Sequence, residues 1–144
     1  PRRGENFVTR KICRAVARVA KGLQQHIELG NLEGRRDWGY APEYVEAMWK
    51  ILQQEHPDDY VIGTGKLHSV RDLLKIACAH VGLNYQNHVV SSEAHKRPSM
   101  EADLVADASK AKKQLGWQPS TDFATMIGLM VDSELKVLHH SQDV

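Results

Sequence analysis

Five stretches of this 144-residue chain carry apolar residues at helical spacing, with short apolar runs between them. In the first stretch, residues 8–22, Val8, Ile12, Val16 and Val19 share a face with Ala15 and Ala20 beside it. Asn6 stands at the N-cap position and Gly22 at the stop. The opposite face, with Arg10, Lys11, Arg14, Arg18 and Lys21, reads as solvated. Pro42 suits the first turn of a second helix running to Gln54, with Tyr44, Val45, Met48, Trp49 and Leu52 on one side. Ser69 and Asp72 resemble a capping box ahead of Val70, Leu73, Leu74, Ala77 and Val81, and Gly82 closes that helix. Asp107 or Ser109 caps a short helix ending at Gly116. Thr121 opens the last helix, with Phe123, Met126, Ile127, Met130, Val131, Leu135 and Leu138, and the tail after His139 is expected to fray. Strands are expected at His26–Gly30, Tyr60–Gly63, Tyr85–Val90 and Leu104–Ala106, and loops at 31–40 and 91–99. Helices alternating with strands predict an α/β arrangement with some parallel pairing. Three or four short strands are few for a self-contained doubly wound sheet, and they leave apolar helix faces uncovered. The chain also opens on Pro1-Arg2-Arg3-Gly4 with no initiator Met. Both features predict a piece of a larger body.

Composition narrows the function. Lys and Arg number 19 against 18 Asp and Glu, a net charge of +1, which argues against a polybasic nucleic-acid or membrane-surface domain. At 42% hydrophobic and 26% charged residues, the chain is of globular composition and of a length for one domain. No apolar run approaches the roughly 20 residues of a membrane helix, and no signal segment opens the chain. Cys13 and Cys78 read as small buried hydrophobes of a reducing cytosol. The ten glycines form no G-x-G-x-x-G, so the phosphate loop of a dinucleotide-binding domain is missing; Gly63-Thr64-Gly65 reads as a strand exit. No tyrosine is followed four residues later by lysine. The eight histidines and two cysteines form neither H-E-x-x-H nor C-x-x-C, and no metal is expected. No G-x-S-x-G elbow is present.

Among the basic residues that remain, four pairs stand at a turn or helix start: Arg2-Arg3, Arg10-Lys11, Arg35-Arg36 and Lys96-Arg97. Arginine suits bidentate contact with phosphate oxygens, so two or more of these could converge on a diphosphate; a solvated surface is the plainer alternative.

Several blocks then become recognisable. Residues 1–12 (PRRGENFVTRKI), Leu29-Gly30-Asn31-Leu32, Arg36-Asp37-Trp38-Gly39-Tyr40-Ala41 and Tyr44-Val45-Glu46-Ala47-Met48-Trp49 resemble the GDP-mannose 4,6-dehydratase family of the extended short-chain dehydrogenase/reductase superfamily. The resemblance continues, in collinear order, through Asp59-Tyr60-Val61-Ile62, Thr64-Gly65, His68-Ser69-Val70-Arg71, Arg97-Pro98, Asp107-Ala108-Ser109-Lys110-Ala111 and Leu115-Gly116-Trp117.

The resemblance implies the C-terminal part of an extended short-chain dehydrogenase fold, meaning the last Rossmann elements plus a small α/β substrate-binding domain. The Gly-rich N-terminal half, which holds the catalytic Thr/Glu and the Tyr/Lys pair, would be absent. All of 1–144 is then one substrate-binding portion, with 37–82 at the edge of the Rossmann sheet. The implied reaction converts GDP-mannose to GDP-4-keto-6-deoxymannose. NADP⁺ takes a hydride from C4, water leaves across C5–C6, and the hydride returns to C6. The resemblance assigns Arg3 to NADP and Lys11, Arg36 and Arg97 to the GDP-sugar. It places no catalytic residue in this chain, which is expected to be inactive alone. It further implies a cytoplasmic homo-oligomer serving GDP-fucose biosynthesis, with no nucleic-acid or membrane partner. The sequence departs from the family pattern at Met100, where a Glu is usual, at Glu43, where an Asp is usual, and in a shorter stretch between Gly82 and Arg97. The corresponding half of a sibling sugar-nucleotide dehydratase or reductase, and a freestanding nucleotide-binding or interaction module, are the alternatives.

Overall fold

The computed structural model describes residues 1–91 and 103–140. Arg97, Met100, most of the 91–99 loop and the tail beyond His140 lie outside the described residues. The described chain forms two compact units, one of residues 1–34, 69–91 and 127–140, the other of 35–68 and 103–126.

The first unit is built on α1 (Val8–Ala20), β1 (Ile27–Leu29), α3 (Val70–His80) and β4 (Val89–Ser91). Helix α1 forms because Ile12, Cys13, Val16, Ala17 and Val19 repeat at helical spacing and all become buried. Its N-cap is Phe7, whose side chain makes no capping hydrogen bond, rather than Asn6. Gly22 and Gly82 end their helices at φ of 71° and 73°, a region that costs glycine little. Strands β1 and β4 pair in parallel, with Ile27 opposite Val89 and Leu29 opposite Ser91, so the anticipated parallel pairing is present. The strand expected over 85–90 is half right: Tyr85–Asn87 is a 3-10 turn capped by the Asn84 side chain, and the strand starts at Val89. Helix α3 packs on α1 and buries Leu73, Leu74, Ala77 and Cys78. Its capping box is complete: Ser69 Oγ accepts from Asp72 N, and Asp72 accepts from Ser69 N at 2.9 Å.

The second unit holds α2 (Ala41–Leu52) and α4 (Ser109–Leu115). Between 31 and 40, expected to be loop, Arg35–Arg36 forms a two-residue strand, β2. Its hydrogen-bonded partner is β3, His68–Ser69, where the chain passes from one unit to the other. The core gathers Ala47, Ala111, Leu115 and Trp117, with Tyr44, Ile51, Tyr60, Ile62 and Ala108 against it. Neither Tyr60–Gly63 nor Leu104–Ala106 is a strand. Tyr60 and Ile62 are apolar because they pack on this core, and the Tyr60 hydroxyl donates to Gln114 at 2.9 Å. Leu104 and Val105 are exposed. The face read from α2 also changes. Ala47, Tyr44 and Ile51 point to the core, whereas Val45, Met48 and Trp49 are each 61% exposed and Leu52 79%. Helix α4 has Ala108 at its N-cap, and Asp107 Oδ1 accepts from the Ser109 N–H instead. Helix α5 (Phe123–His140) begins in the second unit and runs into the first. It opens two residues later than Thr121, and Asp122 Oδ1 accepts from Thr125 N at 2.7 Å.

Candidate functional site

Two of the expected cations, Arg3 and Lys11, belong to the first unit. Arg36 belongs to the second, and Arg97 lies outside the described residues.

In the first unit, neighbouring cations divide their labour. Arg10 is committed to the protein itself. Its Nε donates to the buried Glu134 of α5 at 2.8 Å, and its Nη1 donates to the Arg3 carbonyl at 2.8 Å. The hydrogen bond it donates to Glu134 is the main reason the guanidinium is held above its ordinary value, against the opposing pull of desolvation. Glu5 adds a second carboxylate, near Arg10 and at 2.5 Å from Arg14. The face read as solvated is therefore partly an ion-pair network. Lys11 is the contrast. Among the described residues its amine makes no hydrogen bond or ion pair, and it lines a cavity of 460 Å³ with Gln24, Gln25, His26 and Glu28. The exposed Arg3 guanidinium lies 4.1 Å from the Phe7 ring centre. Stacking on an aromatic face leaves its N–H fork open for phosphate oxygens.

In the second unit, Arg35 pairs with Asp103 through both Asp oxygens. Arg36, on the same short strand, is exposed, and its Nη1 donates to the Arg35 carbonyl at 2.7 Å. Asp37 Oδ1 accepts from Thr64 N at 3.0 Å and from the Thr64 hydroxyl; its Oδ2 accepts from Gly65 N at 2.9 Å and Ala106 N at 3.2 Å. Desolvation works to raise the Asp37 carboxyl, but these donors outweigh it and hold it below the usual aspartate range. Trp38 stacks on Phe123 with ring centres 5.6 Å apart, and His68 stacks on the same ring at 4.0 Å. Gly63-Thr64-Gly65, read as a plain strand exit, is thus a cradle for a carboxylate. A Cβ at Gly63 would stand 2.2 Å from the Ala106 Cβ and 3.1 Å from Asp37 Oδ2.

Glu43, noted in the sequence only as a departure, proves to be a second carboxylate anchor. Its Oε1 accepts from the backbone and hydroxyl of both Ser120 and Thr121, at 2.7–3.1 Å. Its backbone carbonyl takes the Trp117 indole N–H at 2.8 Å. Desolvation raises the Glu43 carboxyl and the four donors more than reverse this, leaving it lowered. No local signal marks Asp37, Glu43 or Glu134, because their partners stand 27 to 124 positions away. Cys13 and Cys78 are buried and unpaired as disulfides, and burial pushes their thiols up to about 12 and about 11. Among the described residues, no group of three His, Cys, Asp or Glu side chains is placed to hold a metal ion. No described helix is long and apolar enough to cross a membrane.

Comparison with known proteins decides the family: the sequence profile of GDP-mannose 4,6 dehydratase matches residues 1–130. The chain belongs to the GDP-mannose 4,6 dehydratase family. It is 50% identical over 137 residues to GDP-mannose 4,6 dehydratase 1 of Arabidopsis thaliana, covering 95% of this chain and 38% of that protein. To the human GDP-mannose 4,6 dehydratase it is 38% identical over 155 residues, covering 96% of this chain and 42% of the relative. The chain thus spans about two-fifths of the length of these curated relatives. Among solved structures, RMD from Pseudomonas aeruginosa complexed with NADPH matches with a TM-score of 0.86 at 17% identity, covering 95% of this chain and 45% of that one. A UDP-glucose 4-epimerase of Thermotoga maritima, solved with UDP-glucose, gives a TM-score of 0.75 at 27% identity, covering 94% and 41%. The expected fold, an α/β portion of an extended short-chain dehydrogenase, is borne out by these structures.

Proposed function

We propose that these residues form the substrate-binding portion of a GDP-mannose 4,6-dehydratase that converts GDP-mannose to GDP-4-keto-6-deoxymannose. The observation that carries the proposal is the family match over nearly the whole chain, with 50% identity to a dehydratase of that name.

The residues do binding work in this reading. Arg36 takes the diphosphate: it is exposed on β2, and arginine is the side chain best suited to phosphate oxygens. Lys11 brings a positive charge with no described partner to the sugar nucleotide. Arg97 joins them on the phosphates. Charge-assisted contacts of this kind contribute about 1.5–3 kcal/mol each. Arg3 contacts NADP. Its exposed, ring-stacked guanidinium fits a phosphate, and the ten glycines of this chain form no G-x-G-x-x-G to cradle the rest of a dinucleotide. Bound NADP supplies hydride acceptance and return. None of the described residues here performs that transfer.

The same reading places residues 37–82 at the edge of the family's dinucleotide-binding sheet, which the exposed apolar stripe of α2 supports. It also makes the full-length protein a cytoplasmic homo-oligomer in GDP-fucose biosynthesis, without nucleic-acid or membrane partners.

Two measurements test the proposal. The purified 144-residue chain with GDP-mannose and NADP⁺ is expected to show no dehydratase turnover; conversion by it would refute the assignment of this portion to binding alone. In the full-length enzyme, Arg36→Ala is expected to weaken GDP-mannose binding far more than Arg18→Ala. Equal affinities by calorimetry would remove Arg36 from the site.

A further inference from the structure

The Arg35–Trp38 segment is held on both sides of Arg36. Arg35 is paired with Asp103, and Trp38 is stacked on Phe123. Between them, Asp37 collects four hydrogen bonds from Thr64, Gly65 and Ala106, three of them from backbone N–H groups. Those donors come from two chain segments, 27 to 69 positions from Asp37. A carboxylate spent on main-chain donors contributes little to a ligand directly. What it does is fix the backbone from which its neighbour projects. The approach of Gly63 to Asp37 Oδ2 and Ala106 shows how little room this arrangement leaves for adjustment.

We infer that Asp37 is a positioning residue for the substrate diphosphate, holding the main chain that presents Arg36 to the phosphates. The inference rests on the assignment of Arg36 proposed above. An exposed arginine on a loose segment loses conformational freedom when it captures a ligand; one on a segment already fixed loses less. Asparagine keeps the size of Asp37 but replaces one acceptor oxygen with an N–H₂ group, which cannot accept from Gly65 or Ala106.

The test is a double-mutant cycle in the full-length enzyme, reading GDP-mannose affinity by calorimetry. Asp37→Asn is expected to weaken binding about tenfold with kcat little changed. In the Arg36→Ala background, the same substitution is expected to cost less than about twofold, because the group it positions is gone. A loss that persists at about tenfold in that background overturns the inference, since Asp37 then acts on the fold as a whole. Unchanged affinity in Asp37→Asn alone also overturns it. Unchanged affinity in Arg36→Ala is a different result: it removes the assignment of Arg36 and the inference with it. If Asp37→Asn does not fold, Thr64→Val serves instead. It deletes one donor hydroxyl and keeps the side-chain volume, and it is expected to give a smaller loss that likewise vanishes in the Arg36→Ala background. Additive losses there overturn the inference just as directly.

Discussion

Arg10 and Lys11 are adjacent on α1, yet only Arg10 answers a buried carboxylate, Glu134, on a helix more than a hundred positions away. Removing Arg10 leaves that carboxylate without its cation, and an unpaired buried charge destabilises the folded state. Arg10→Ala is therefore expected to lower Tm clearly. Lys11→Ala is expected to leave stability within about 0.5 kcal/mol of the parent while weakening GDP-mannose binding in the full-length enzyme. Thermal unfolding beside calorimetry separates the two. The sequence showed that basic residues come in pairs; it did not show which member of each pair the protein uses internally, because that choice depends on Glu134 and Asp103. The two carboxylate anchors carry a pH signature. Glu43 and Asp37 have folded-state values below their unfolded ones, near 4.3 and 3.9. Their contribution is complete above those unfolded values and is lost as pH falls through the lower folded ones. Between pH 7 and 3, Glu43→Gln is expected to show a shallower fall in Tm than the parent. An equal slope in melting curves would mean that Glu43 is not a stabilising charge.

At the level of elements, helix ends and helix faces obey different constraints. Ends closed by a local side chain or a glycine could be read directly from the sequence, as at the Ser69–Asp72 capping box and the glycine stops at 22 and 82; the N-caps of α1 and α4, which make no side-chain capping hydrogen bond, could not. Ser69→Ala is expected to cost about 1 kcal/mol, measurable by denaturant unfolding. Faces depend on distant partners. Helix α2 has apolar residues on two sides, and only the side bearing Ala47 meets the Ala111–Trp117 core. For the same reason, apolar Tyr60 and Ile62 could be mistaken for strand residues. An apolar run reports burial, and whether it becomes a strand depends on a pairing partner elsewhere in the chain. Met48→Glu with Leu52→Glu is expected to leave the folding free energy of this chain nearly unchanged, since both residues are exposed already. In the full-length protein, where we place this face at a sheet edge, the same pair is expected to lower Tm. Melting the pair of variants in both lengths of protein checks this.

For the molecule as a whole, the family and the α/β class were legible because they are written in contiguous blocks, from Pro1–Ile12 to Leu115–Trp117. The division into two units was not, because each unit is assembled from separated segments. The parallel pair Ile27–Val89 already spans most of the second unit's residues. Helix α5 starts with Phe123, under the Trp38 and His68 rings, and goes on to supply Ile127, Met130 and Val131 to the first unit. A chain stopped at Pro119 is expected to lose both packing arrangements at once, with circular dichroism showing a largely unstructured polypeptide.

That interleaving bears on how the protein can be dissected. The backbone passes from one unit to the other four times, so no single restriction site in the gene releases either half intact. Excising residues 35–68 to miniaturise the scaffold would carry off Arg36 and α2 but leave α4 stranded on the remainder. Any useful shortened version must stitch together pieces that ribosomal order keeps apart.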